Sequence, residues 1–160
     1  MDDLVLARVL HVLGIVLWIG GVGMVTFVLL PTLARMQSAT DAMAFFSRFR
    51  QRFAAQARFS TLIVGLSGFY MVHVLNAWPR FMQWQYWWMH MMVLIWIFFS
   101  VMLFIMEPRG RRQSAASVQQ DVSPETFAKI QRKHLFLLIL SLITIAGAVA
   151  GSHGWLIARS

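Results

Sequence analysis

Histidine is the residue type in this chain whose placement could do chemistry. Neutral imidazole binds haem iron, copper and zinc. The sequence holds five histidines and no cysteine. His11, His73, His90 and His153 each fall near one end of a different apolar stretch, and His134 sits beside Lys133. A histidine inside a membrane span is costly and by default marks a functional site. Counted at ~1.5 Å per residue, the first four lie within a turn or two of one membrane surface. Four placements that agree in depth point to a shared ligand site. For each histidine alone, helix capping or contact with headgroups is the plain alternative. His134, at the opposite and basic boundary, reads as interfacial. The absence of cysteine excludes disulfides, zinc ribbons, iron–sulfur clusters and covalent c-type haem. Any metal then falls to His, Met or oxygen ligands.

The elements that position these residues follow from composition. The chain has 160 residues, 59% hydrophobic and 12% charged, with mean hydropathy +0.65. A soluble domain carries about a quarter charged residues, so neither a soluble domain nor disorder fits. Four stretches free of Asp, Glu, Lys and Arg run Val9–Leu30, Phe59–Ala77, Phe81–Met106 and Leu135–Ala158. Each approaches or exceeds the roughly 20 residues a membrane helix needs. They predict an all-α integral membrane protein, a four-helix antiparallel up-down bundle forming one domain over 1–160.

Charge sets the expected orientation. The connections 31–58 and 107–134 hold 11 of the 14 basic residues; the other side holds Arg8, Arg80 and Arg159. The positive-inside rule places both connections in the cytoplasm and both termini outside, which is periplasmic in a bacterial inner (plasma) membrane. The net charge of +8 therefore reads as topology, with the lipid bilayer as partner and no nucleic acid. Met1-Asp2-Asp3 is acidic where a signal peptide is basic, so the first span is expected to be retained. Thr40-Asp41 is an N-cap signal. Phe45, Phe46, Phe49 and Phe53 follow on one face, as in an amphipathic lead-in at the lipid surface. Ser123-Pro124-Glu125 predicts a helix start that continues into the fourth span. Gly110–Asp121 reads as a mobile loop, and Trp78-Pro79-Arg80 as a short turn making the second and third spans neighbours.

Helical periodicity sorts the neighbours of each histidine. His11 shares a face with Gly14, Trp18, Val22 and Val25, with Gly21 at its border; His153 shares one with Ala146, Val149 and Ala150. Small residues leave room for a flat macrocycle, and they equally serve close helix packing. His73 sits with Leu62, Leu66, Phe69 and Tyr70, and His90 with Leu94, Ile97 and Val101. Met82, Met89, Met91 and Met92 crowd His90 in sequence. Thioethers suit Cu(I) or an axial haem position, though methionine is also ordinary apolar filler. Trp78, Trp84, Trp87, Trp88, Tyr86 and Trp155 read as an aromatic belt. There is no His-Glu-x-x-His, no phosphate-binding glycine loop and no nucleophile beside a base, so a hydrolase reading has no support.

The run Leu10-His11-Val12-Leu13-Gly14-Ile15-Val16-Leu17-Trp18-Ile19-Gly20-Gly21 resembles the first span of the CopD copper-resistance membrane proteins and of the related HemJ proteins. Arg58 to His73, with Gly65 and Gly68, resembles their next span. Trp88-Met89-His90-Met91-Met92 resembles the Trp-Leu-His-Val-Lys stretch of HemJ, with Met92 where HemJ has its lysine. The HemJ Asn-Glu-x-Pro stretch has no counterpart. The resemblance implies b-type haem or copper at the outer side.

The first expectation is therefore a haem-b redox protein. It would transfer electrons between a membrane donor, such as a quinol, or a small redox substrate and an outer acceptor. Its iron ligands are expected to be His11 with His90, with His73 and His153 a second pair that holds a second metal or haem or orients a quinone, and Gly14 and Trp18 lining the same site. Copper handling through outer His and Met ligands, a HemJ-like protoporphyrinogen oxidase, and a structural subunit of a membrane complex or homo-oligomer are the alternatives.

Overall fold

In the computed structural model, which describes residues 2–107 and 124–155, the four apolar stretches become four long helices. These are α1 (Asp2–Ala34), α2 (Ala39–Val74), α3 (Trp87–Val101, prolonged by a wide turn over Met102–Met106) and α4 (Pro124–Ser152). There is no strand among the described residues. All four are long and apolar enough to cross a membrane. Large apolar side chains stay on their outer faces: Leu66 is 72% exposed and Phe27 62%. Apolar surface on that scale is suited to lipid rather than water. The chain is a multi-pass helical membrane protein.

The ends of the helices differ from the expected ones for local reasons. α1 starts at Asp2, ahead of Val9, with Asp2 and Asp3 in its first turn, where carboxylates favour the helix dipole. It passes Pro31 because Val25–Leu29 forms a π turn in which the Leu30 N–H bonds back to the Val25 carbonyl. A proline has no N–H to give, and the wider turn accommodates that. Ser38, not Thr40-Asp41, caps α2, its Oγ accepting from the Asp41 N–H at 3.2 Å. α2 ends at Val74, and just beyond it Asn76 takes the left-handed conformation at φ 48°, one asparagine tolerates. Trp78–Met82 and Trp84–Tyr86 are 3₁₀ turns, so α3 begins at Trp87 rather than Phe81. Pro124 opens α4 as its pattern predicts, and α4 stops at Ser152, short of Ala158. Ser123, the Gly110–Asp121 stretch and Arg159 lie outside the described residues.

The phenylalanines of α2 do not lie on a separate surface helix. α2 is one helix of 36 residues. Phe46, Phe49 and Phe53 pack with Leu30 and Leu33 of α1 and Phe127 and Ile130 of α4, while Phe45 stays exposed. Phe46 meets Phe127 edge-on at 6.1 Å. These contacts extend the apolar core toward the basic end of the chain.

α1 packs chiefly along α2; α4 packs on both α3 and α1; α3 also touches α2. α1 and α3 meet across the centre through Trp18 and Phe99, edge-on at 5.0 Å. Glycines set the close approaches, Gly14 and Gly65 among them. A Cβ on Gly14 would lie 2.8 Å from Val64, and one on Gly65 would lie 2.5 Å from the Trp96 ring. Trp96 donates its Nε1–H to the Thr61 carbonyl at 2.9 Å. Gly65→Ala is therefore expected to displace the indole and weaken that bond, a loss of about 1–3 kcal/mol. Gly20→Ala, with nothing within 4 Å of the added carbon, is the control. Thermal unfolding of the two variants in detergent measures the difference; equal melting would contradict it.

Each π turn is served by a neighbouring helix. Gln131 of α4 donates to the Thr26 carbonyl at 3.2 Å. Arg58 of α2 donates Nε–H to the Leu103 carbonyl at 3.0 Å, and its guanidinium pairs with Glu107. In a membrane, backbone groups released from the regular ladder need such partners.

Candidate ligand cavity

A cavity of about 370 Å³ opens among all four helices and the α2–α3 connection. Its wall runs from Arg8 to Ile19 on α1, from Val64 to Leu75 on α2, from Trp88 to Trp96 on α3 and from Ser141 to Ser152 on α4. Sites for small molecules span about 300–1,000 Å³. The wall is overwhelmingly apolar. The Ser141 and Thr144 hydroxyls on it are spent on the Leu137 and Leu140 carbonyls of their own helix.

Of the four histidines expected at a shared site, one lines this cavity: His11. Its imidazole is fixed from α2. Nδ1 lies 3.0 Å from the Val64 carbonyl and 3.1 Å from Ser67 Oγ. A carbonyl only accepts, so Nδ1 carries the hydrogen and the lone pair of the neutral ring is on Nε2. Gly68 makes room for the ring, since a Cβ there would come within 3.1 Å of His11 Cε1. This is the arrangement by which proteins orient a metal-binding imidazole: one ring N–H held by a carbonyl, the other nitrogen free.

The other three point elsewhere. His90 gives its Nε2–H to the Phe81 carbonyl at 2.8 Å and lies flat on Trp84, centroids 6.4 Å apart. It thereby ties α3 to the connection before it. His153 is exposed, with Nδ1 2.8 Å from the Val149 carbonyl of its own helix. His73 is exposed at the end of α2. His134 bonds back to Ile130 at 2.9 Å. Among the described residues, no three of His, Asp and Glu come together as a metal-binding group.

Trp18 lines the cavity, is 4% exposed, and its Nε1 has no hydrogen-bond partner. Gly14 is not part of the wall; it serves the α1–α2 contact. Trp88 departs from the aromatic belt: it is 5% exposed and forms part of the wall, whereas Trp84 and Trp155 are 89% and 85% exposed.

The methionines noted beside His90 divide: Met89 and Met92 reach the wall and Met82 and Met91 do not, while Met71, Arg8 and Arg80 join it with no sequence reading that placed them there. Met89 and Met92, one turn apart on α3, and Met71 on α2 bring thioethers to it. Arg8 and Arg80 bring the cations. The i, i+3 spacing of Arg8 with His11 is the signal that could have placed Arg8 there.

No family model matches the chain, and no curated protein or solved structure matches it either.

Proposed function

We propose that this chain is a haem-b-binding membrane redox protein with its cofactor in the His11 cavity. The observation that carries the reading is the fixed tautomer of His11 on the wall of an apolar cavity bounded by all four helices. That wall fits a flat apolar ring: glycines on α2, branched aliphatics, and indoles from α1 and α3. His11 Nε2 would be one ligand to its iron. Met89 or Met92 of α3, which line the cavity, would supply another, since His90 is engaged by Phe81. A His/Met set holds iron at a higher potential than most other ligand pairs. When bound, the group supplies one-electron chemistry. The protein binds it, excludes water from it and sets its potential. The charge pattern supports an antiparallel up-down bundle in an inner membrane, with both termini and the cavity at the outer side. Electrons would pass from a quinol-like donor in the bilayer, or a small redox substrate, to an outer acceptor.

A second reading rests on the same wall. His11 with Met71, Met89 and Met92 is a soft donor set suited to Cu(I). One experiment separates the two. The full chain is purified in detergent from haem-replete cells and its spectrum taken air-oxidised and dithionite-reduced, with a pyridine haemochrome assay and metal analysis. The expected result is a Soret band with sharp reduced α and β bands. A colourless protein would sink the haem reading, and stoichiometric copper in it would replace it with the second.

A further inference from the structure

The cations on the cavity wall pair with no carboxylate among the described residues. Arg8, on the first turns of α1, and Arg80, on the α2–α3 connection, both line the cavity. Among the described residues, the ion pair formed is Arg58 with Glu107, and neither Arg8 nor Arg80 meets a carboxylate. Arg80 lies over the Tyr86 ring, 5.4 Å from its centroid, which fixes its head without neutralising it.

Their side of the membrane makes them conspicuous. The proposed orientation puts 11 of the 14 basic residues inside and leaves Arg8, Arg80 and Arg159 outside. Arginine at an outer boundary opposes the bias that sets topology. Both of these arginines within the described residues border the one cavity that holds His11. They come from different elements, both are exposed, and both line the same cavity.

We infer that Arg8 and Arg80 form a mouth that selects a ligand bearing carboxylates, so that the cavity takes a planar tetrapyrrole dicarboxylate in preference to a neutral flat molecule. This rests on the proposed haem reading and adds to it an orientation. The apolar wall around Trp18 and Ile95 would hold the ring, and Arg8 and Arg80 would hold its acidic edge. Guanidinium recognises a carboxylate through paired N–H donors, and charge-assisted bonds of this kind are about twice as strong as neutral ones. A neutral quinone head would leave both arginines unmatched.

The test compares haemin with haemin dimethyl ester, which keeps the ring and iron and lacks both charges. Each is titrated into the full-length protein in detergent and followed by the Soret absorbance. Wild type is expected to bind the ester at least about tenfold more weakly than haemin, the effect of losing one charge-assisted bond. The Arg8→Gln/Arg80→Gln double variant is expected to bind the two alike, with each single variant between. Equal binding by the wild type would overturn the inference and assign the arginines to lipid phosphates, while leaving the haem site standing. A double variant that still prefers haemin would overturn it too, since the selection would come from elsewhere. Failure of wild type to take up either porphyrin would remove both this inference and the haem reading.

Discussion

Replacing His11 with alanine is expected to abolish the Soret band, whereas His73→Ala and His153→Ala leave it in place. Loss of a group that merely orients a metal ligand costs about 10–100-fold in affinity. Removing the ligand itself costs more, so a drop beyond about a hundredfold is expected on titration with haemin. The contrast between histidines is the informative part. His73 and His153 are exposed, and His153 already bonds to its own helix. His90→Ala is expected to keep the cofactor and lower the melting temperature, because the Phe81 carbonyl loses its donor. Spectra of the four purified variants at equal haem exposure decide the matter. Retention by His11→Ala together with loss by His90→Ala would reverse the assignment.

Arg58→Ala is expected to be the most damaging single change to stability. It strips Glu107 of its counter-ion and the Leu103 carbonyl of its donor at once. The Glu107 side chain is only 10% exposed, and its Oε1 is already buried without a partner. Breaking a buried pair by removing one partner costs about 3–5 kcal/mol. With Arg58 27% exposed, the lower end of that range applies. Adding Glu107→Gln removes the stranded charge, so the double variant is expected to recover part of the loss. Unfolding of the wild type, both singles and the double in detergent gives the coupling energy. Additive losses would mean that the pair contributes nothing beyond its separate contacts.

The four helices were legible because an uncharged apolar stretch of membrane length has few alternatives. The site was legible only in part, and the reason is helix rotation. A histidine near the end of a span can face the bundle or the lipid, and depth alone does not distinguish them. The companions on each face do. Leu66 and Tyr70 beside His73, Leu94 and Ile97 beside His90, and Val149 beside His153 are all exposed, so those faces look outward. Gly14, Trp18, Val22 and Val25 beside His11 are buried. Exposed large side chains accompany His73 and His90, and a buried glycine and indole accompany His11, but Ala146 and Ala150 beside the outward His153 are small, so residue size alone does not sort the faces. Arg58 with Glu107 escaped notice because the two are 49 positions apart and each sits at the edge of an apolar stretch, where a charge looks merely interfacial. The cap at Ser38 was not distinguished for a simpler reason: Ser38, Thr40 and Asp41, three of four consecutive positions, all have capping side chains.

The two π turns carry a consequence for descent. A π turn fits one more residue into a helix than a regular turn does, and beyond it every side chain is rotated by about 100°. Val25–Leu29 and Met102–Met106 are thus places where a single-residue change in helix length can be absorbed without displacing His11 or the α3 methionines. Each wide turn lies between the cavity and the basic end of the chain. A relative lacking one of them would align with a one-residue gap there, and its cavity would be unchanged. The partners at the far end would differ, with no Gln131 or Arg58 needed to satisfy a freed carbonyl. The cavity end and the basic end of this bundle can therefore vary independently, with the wide turns as the joint between them.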